Sequence, residues 1–158
     1  MPYRLLGSFI AVTVALTGMA HAVEVKRKVE IVGEADKVWG QIGGWCAIAD
    51  WHPVIAKCEE STDGGKTHRT LTTKDGGVIK ETLTKKAAHS YSYQIDESPL
   101  PVKNYTATLS VVPDDDDANE INVVWSAKFE AKGKDADAKK VINDIFKAGL
   151  DQIKKKLD

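Results

Sequence analysis

Residues 121–157 read INVVWSAKFEAKGKDADAKKVINDIFKAGLDQIKKKL, and within them the spacing of apolar side chains changes from every second residue to every third or fourth. Ile121, Val123, Trp125, Ala127 and Phe129 alternate with mostly polar neighbours, which predicts a strand with one dry face. Further on, Val141, Ile142, Ile145, Phe146, Gly149, Leu150, Ile153 and Leu157 recur at helical spacing. Asp135 and Asp137 open this helix and Lys154, Lys155 and Lys156 close it, so its charges oppose the macrodipole at both ends. Some 20 residues at about 1.5 Å each reach roughly 30 Å, enough to cross the dry face of a curved sheet.

Working back towards the N-terminus, the same alternation returns in Tyr105, Ala107, Leu109 and Val111, and in Tyr91, Tyr93 and Ile95. Turn-forming clusters punctuate residues 54–131: Asp63-Gly64-Gly65, Asp75-Gly76-Gly77, Lys86-Ala87-Ala88, Pro99-Leu100-Pro101, and the acidic run from Asp114 to Asp117 with Asn119. The acidic run lacks the ligand spacing of a calcium loop and reads as a solvated hairpin turn. An earlier strand is marked by Val23, Val25, Val29 and Ile31. A short helix should carry Val38, Trp39 and Ile42 and stop at Gly43-Gly44, and a second short helix or turn should span Trp45 to Trp51 before Pro53. The expected fold is therefore α+β: a curved antiparallel sheet of about seven strands wrapped around a long C-terminal helix, with two short helices after the first strand.

Residues 1–22 have a different composition. After Arg4 the run from Leu5 to Met19 carries no charge, and it ends in Ala20-His21-Ala22. The run is too short for a membrane span, and the small-x-small tripeptide is a cleavage signature, so a secretory signal cut after Ala22 is expected. Residues 23–158 then form one domain in the periplasm, with no later transmembrane segment. The whole chain has formal charge −1, which implies no basic face for nucleic acid. In an oxidising compartment the even cysteine count favours a Cys46–Cys58 disulfide. The alternative, a metal site on Cys46, His52 and Cys58, lacks the companion ligands that zinc requires, and no metal or cofactor is expected.

Several polar residues fall where an interior could use them. Arg69, Leu71 and Thr73 share one strand face, and Ile79, Glu81 and Leu83 share a face on the next. A tight turn at Asp75 to Gly77 would set Leu71 opposite Glu81 and Arg69 on the diagonal. Two placements fit: guanidinium and carboxylate point inward as a pair, or both sit solvated at an open rim. His52, between Trp51 and Pro53, is either a proton-transfer group or a residue that merely ends a helix. His68 and His89 fall on or beside turns and should be exposed. Tyr91, Tyr93, Tyr105 and Trp125 suit a core, or the wall of a hollow one.

Ala35-Asp36-Lys37-Val38-Trp39, Trp51-His52-Pro53, Glu81-Thr82-Leu83, Pro99-Leu100-Pro101-Val102 with Asn104-Tyr105, and Val124-Trp125-Ser126 together resemble the SRPBCC superfamily, also called START-like or Bet v 1-like. The resemblance covers nearly all of residues 23–157 and is nearest to the polyketide cyclase/dehydrase and lipid-transport group, including its periplasmic MxaD-type members. It implies a helix-grip fold around a cavity, with Trp51-His52 over the open end. Together with the sheet face that alternation gives Tyr93, Tyr105 and Trp125 and that the hairpin gives Arg69 and Glu81, this makes Trp51, His52, Arg69, Glu81, Tyr93, Tyr105 and Trp125 the expected ligand contacts. Three functions follow from different classes: binding or carriage of a small hydrophobic ligand, a cyclase or dehydratase using His52 or Glu81, and an accessory factor for a periplasmic redox enzyme.

Overall fold

A computed structural model describes residues 21–158. The expected signal segment lies outside the described residues except for His21 and Ala22. The element order is β1 (Val23–Val32), α1 (Ala35–Ile42), α2 (Ile48–Trp51), β2 (Ile55–Asp63), β3 (Lys66–Thr73), β4 (Val78–Ala87), β5 (Ser90–Glu97), β6 (Val102–Pro113), β7 (Glu120–Ala131) and α3 (Asp135–Leu157). The seven strands form one antiparallel sheet in the order β1-β7-β6-β5-β4-β3-β2, and α3 packs against β1 and β7. This is the helix-grip arrangement that the periodicities and the resemblance imply.

The alternating positions behave as their pattern requires. Tyr91, Tyr93, Tyr105, Ala107, Leu109, Val111, Ile121, Val123, Trp125, Ala127 and Phe129 are all buried. On α3 the buried stripe is Ala138, Ile142, Phe146, Gly149, Leu150 and Ile153. Its C-terminal end is moored to the first strand, where Lys154 Nζ donates to the Glu30 carbonyl at 2.6 Å and the Val32 amide donates to Asp158 at 3.3 Å.

The sheet is regular at one side and broken at the other. β1 and β7 pair without interruption from Val23↔Phe129 to Val32↔Glu120. Register shifts occur between Ile55 and Lys57, between Lys80 and Glu81, between Leu83 and Lys85, and between Lys103 and Thr106. At the last of these Asn104 adopts φ 51°, a left-handed conformation that asparagine tolerates better than most residues. Such bulges bend strands and increase local twist, and they lie within β2–β6, whereas the β1–β7 ladder has none.

Cys46 and Cys58 form the expected disulfide, which ties the turn before α2 to the edge strand β2. Three local expectations are corrected. The β3–β4 loop is Lys74-Asp75-Gly76, closed by Thr73 N–H donating to the Gly77 carbonyl at 2.8 Å. Gly76 takes φ 89°, the left-handed position that ends such a loop, and Asp75 accepts from both Thr73 Oγ1 and the Gly77 amide. The hairpin is therefore centred on Asp75, and Arg69 lies directly opposite Glu81 while Leu71 faces Ile79. Because the offset is two residues, every side chain stays on its predicted face. Next, β4 continues through Lys86 and Ala87, leaving only Ala88-His89 as a turn. Finally, His68 and His89 are half-buried and not exposed. His68 Nδ1 lies 2.8 Å from Thr82 Oγ1, which donates to Asp96, and His89 Nε2 lies 2.6 Å from Asp36.

Candidate functional site

Between the curled part of the sheet and α3 lies a cavity of about 380 Å³. The helix contributes Ile142, Ile145 and Phe146, the strands contribute Leu71, Ile79, Glu81, Tyr93, Tyr105 and Trp125, and Ile48, His52 and Ile55 close the third side. The mouth is marked by those lining residues that reach solvent: Val54, Lys74 and Asp75, with Pro53, Thr73 and Leu100 half-buried beside them. The lining is apolar apart from a few groups held in its walls, which is the usual make-up of a site for a small organic molecule, at the lower end of the roughly 300–1,000 Å³ such sites span.

The first polar group is the pair brought together by the β3–β4 register. Arg69 Nε donates to Glu81 Oε2 at 2.5 Å, and Arg69 Nη1 donates to the Trp45 carbonyl at 2.5 Å. The guanidinium carbon also stands 3.8 Å above the Trp45 ring, so the cation is shelved on an aromatic face and its side chain is wholly buried. Of the two placements open from sequence, the inward, paired one is correct. Burial pushes the Glu81 carboxyl above the ordinary glutamate range and Arg69 pulls it back. The pair is ionised, because a neutral Glu81 would strand a buried cation without a counter-charge.

Tyr93 and Tyr105 stand on the neighbouring strands with ring centroids 6.1 Å apart, and Trp125 Nε1 donates to the Tyr93 hydroxyl at 3.1 Å. Burial raises both phenols above their ordinary range, which keeps them protonated and able to donate. Trp125 is stacked on Phe146 of the helix at 4.3 Å, which joins the sheet side of the cavity to the helix side.

His52 sits inside the wall, not at the mouth, at 3% exposure. Pro53 disfavours helical backbone at the residue before it, so α2 stops and His52 turns extended. Its ring then reaches α3. Nε2–H donates to the Ile145 carbonyl at 3.0 Å and Nδ1 accepts from the Val54 amide at 3.4 Å. Those two partners require the neutral ring with its proton on Nε2, and burial lowers its pKa to about 4 against the partial opposition of the Ile145 carbonyl. The approach depends on Gly149, one turn beyond Ile145. A Cβ there would lie 2.7 Å from His52 Cδ2, 2.9 Å from Trp125 and 3.0 Å from Trp51.

The seven residues singled out in the sequence thus divide into two layers. His52, Glu81, Tyr93, Tyr105 and Trp125 line the cavity. Trp51 and Arg69 do not: Trp51 packs behind His52 and Trp125, at ring-centroid distances of 5.7 and 5.6 Å, and Arg69 is sealed beneath Glu81 and Trp45. The helix glycine and Trp45 were the residues missed. Gly149 stood in the apolar stripe as if it were filler, and Trp45 had a signal in its neighbour Cys46, whose bridge to Cys58 pins it near β3.

An antiparallel sheet gripping a long terminal helix, with two short helices after the first strand, defines the helix-grip class of domain. A family model described as polyketide cyclase/dehydrase and lipid transport matches residues 22–158, and the chain belongs to that family. A search of curated proteins found no match. Among solved structures, XoxI from Bacillus cereus is similar at 30% identity, covering 85% of this chain and 95% of that one, with a TM-score of 0.78. A protein from Thermobifida fusca is similar at 26% identity over 85% and 92% of the two chains, TM-score 0.73. The Zhui aromatase/cyclase from Streptomyces sp. R1128 shares the fold at 16% identity, over 87% and 94%, TM-score 0.68.

Proposed function

We propose that this chain is an exported protein that holds or carries a small hydrophobic molecule in the cavity between β3–β7 and α3. The observation that carries the reading is the space itself, about 380 Å³ walled by aliphatic and aromatic side chains in a family described by cyclisation, dehydration and lipid transport. Export is supported by the character of residues 1–22 and by a disulfide of the kind oxidising compartments maintain. Among the described residues no helix is long and apolar enough to cross a membrane.

Carriage is favoured over catalysis because His52, the first candidate base, has both ring nitrogens committed to backbone. Glu81 keeps the cyclase or dehydratase reading in view, since one of its oxygens is not used by Arg69. The test is uptake of the neutral fluorescent probe N-phenyl-1-naphthylamine by protein purified from the periplasm, with native mass spectrometry for a co-purified molecule. One probe per chain is expected, with uptake abolished in Ile79→Phe, which fills the space. Absence of both uptake and a co-purified molecule overturns the reading. Turnover of a bound molecule, lost by about 100-fold or more in Glu81→Gln, would replace carriage with catalysis.

A further inference from the structure

The charges and hydroxyls in the cavity wall are arranged so that they discriminate among hydrophobic ligands, an inference that rests on the cavity being a binding site. Arg69 lies one layer behind the wall, with Nε on Glu81, Nη1 on the Trp45 carbonyl and its flat face on Trp45; its Nη2 has no hydrogen-bond partner among the described residues but is buried and does not border the cavity. Only Oε2 of Glu81 takes part in that pair. No hydrogen bond to Oε1 forms among the described residues, although Glu81 is 96% buried and borders the cavity. Beside it stand the hydroxyls of Tyr93 and Tyr105: the first accepts from Trp125 and hydrogen-bonds to the second, whose own proton is left to donate. The rim adds one charge of each sign, Lys74 and Asp75.

We propose that the cavity selects neutral hydrophobic molecules carrying a hydroxyl, an alcohol or a phenol, and rejects hydrophobic carboxylates. A hydroxyl has one proton and two lone pairs, so it donates to Glu81 Oε1 and accepts from a tyrosine, satisfying two buried groups at once. A carboxylate has no proton to give Glu81, meets its like charge in a low-dielectric space, and finds no cation lining the interior, since Lys74 stands at the solvated rim. Loss of a hydrogen bond to a buried charged group is the kind of difference from which large selectivity arises.

Three probes of one ring size separate the terms: naphthalene, 1-naphthol and 1-naphthoate, titrated at pH 7.5 by quenching of tryptophan fluorescence. Wild-type protein is expected to bind 1-naphthol about tenfold or more tighter than 1-naphthoate, with naphthalene between them. In Glu81→Gln, Arg69 loses its counter-charge, so the order of 1-naphthol and 1-naphthoate is expected to reverse. Tyr105→Phe leaves the charges in place and is expected to weaken 1-naphthol severalfold relative to naphthalene. Should Glu81→Gln fail to fold, the wild-type ranking and Tyr105→Phe carry the test. Binding of 1-naphthoate as tight as 1-naphthol to the wild type, or a naphthol preference unchanged by Tyr105→Phe, overturns the selectivity while leaving the cavity a binding site. If none of the three binds, it is the binding reading that fails.

Discussion

The two sides of this sheet use the same alternation of dry and wet residues and reach opposite results. Where β1, β7 and the adjoining part of β6 lie, pairing between β1 and β7 is unbroken and the interior is solid: Leu109, Val123 and Ile153 retain no exposure and Ile31 and Leu150 retain 1%. Towards β2 the ladder slips at β2, β4 and β6, the strands curl away from α3, and a space opens with Glu81 and two phenols in its wall and Arg69 buried behind them. Strand regularity and close packing stabilise the first region. In the second, curvature has been obtained at the expense of packing, and the polar groups that a solid core would exclude are held there by paired charges and aromatic shelves.

That contrast breaks most visibly at the ion pair. Arg69→Met should cost about 3–5 kcal/mol in chemical denaturation, because it strands a buried carboxylate. Adding Glu81→Leu should return most of the loss, and failure of the double variant to recover would show that the pair holds the fold by more than its own charges. Truncation compares the regions directly. Ile153→Ala, in the solid side, should cost about 3–4 kcal/mol, whereas Ile79→Ala, which only enlarges an existing space, should cost about 1 kcal/mol. Equal costs would mean that the hollow side is as tightly packed as the other.

Acid should act on the hollow side through His52. Its folded pKa of about 4 lies below the unfolded value of 6.5, so between those pH values the unfolded chain takes up a proton that the folded one refuses. Stability is therefore fully present above pH 6.5 and falls as the pH drops towards 4, by about 3 kcal/mol from this residue. In His52→Gln that part of the slope should vanish, whatever the variant's absolute stability; an unchanged slope would assign it elsewhere. A further effect concerns the disulfide. Reduction should cost about 2–3 kcal/mol for a loop of this length, and thiol titration of denatured, unreduced protein should find none free.

Most of the architecture was legible because two periods, 2 and 3.6, run through residues 90–157 with few interruptions. Parity also carried part of the site: Arg69 and Glu81 were on one face whichever residue centred the hairpin. What could not be read was the exact pairing, since Asp75-Gly76-Gly77 offers two glycines and only the backbone decides that Gly76 takes the left-handed position. Depth was equally hidden. Trp51 and Arg69 carry the residue types of a cavity wall, yet each lies one layer behind it, because His52 settles against Gly149 and because the Cys46–Cys58 bridge draws Trp45 over the guanidinium. Those placements depend on contacts between residues 24 to 97 positions apart, which no local pattern records.

The most direct test of the hollow side is one substitution read two ways. Ile79→Phe adds a ring where the account has empty space, so it should leave the denaturation midpoint unchanged or raised while abolishing uptake of N-phenyl-1-naphthylamine. A loss of about 1–3 kcal/mol, the ordinary cost of overfilling a packed core, with probe uptake intact, would contradict it.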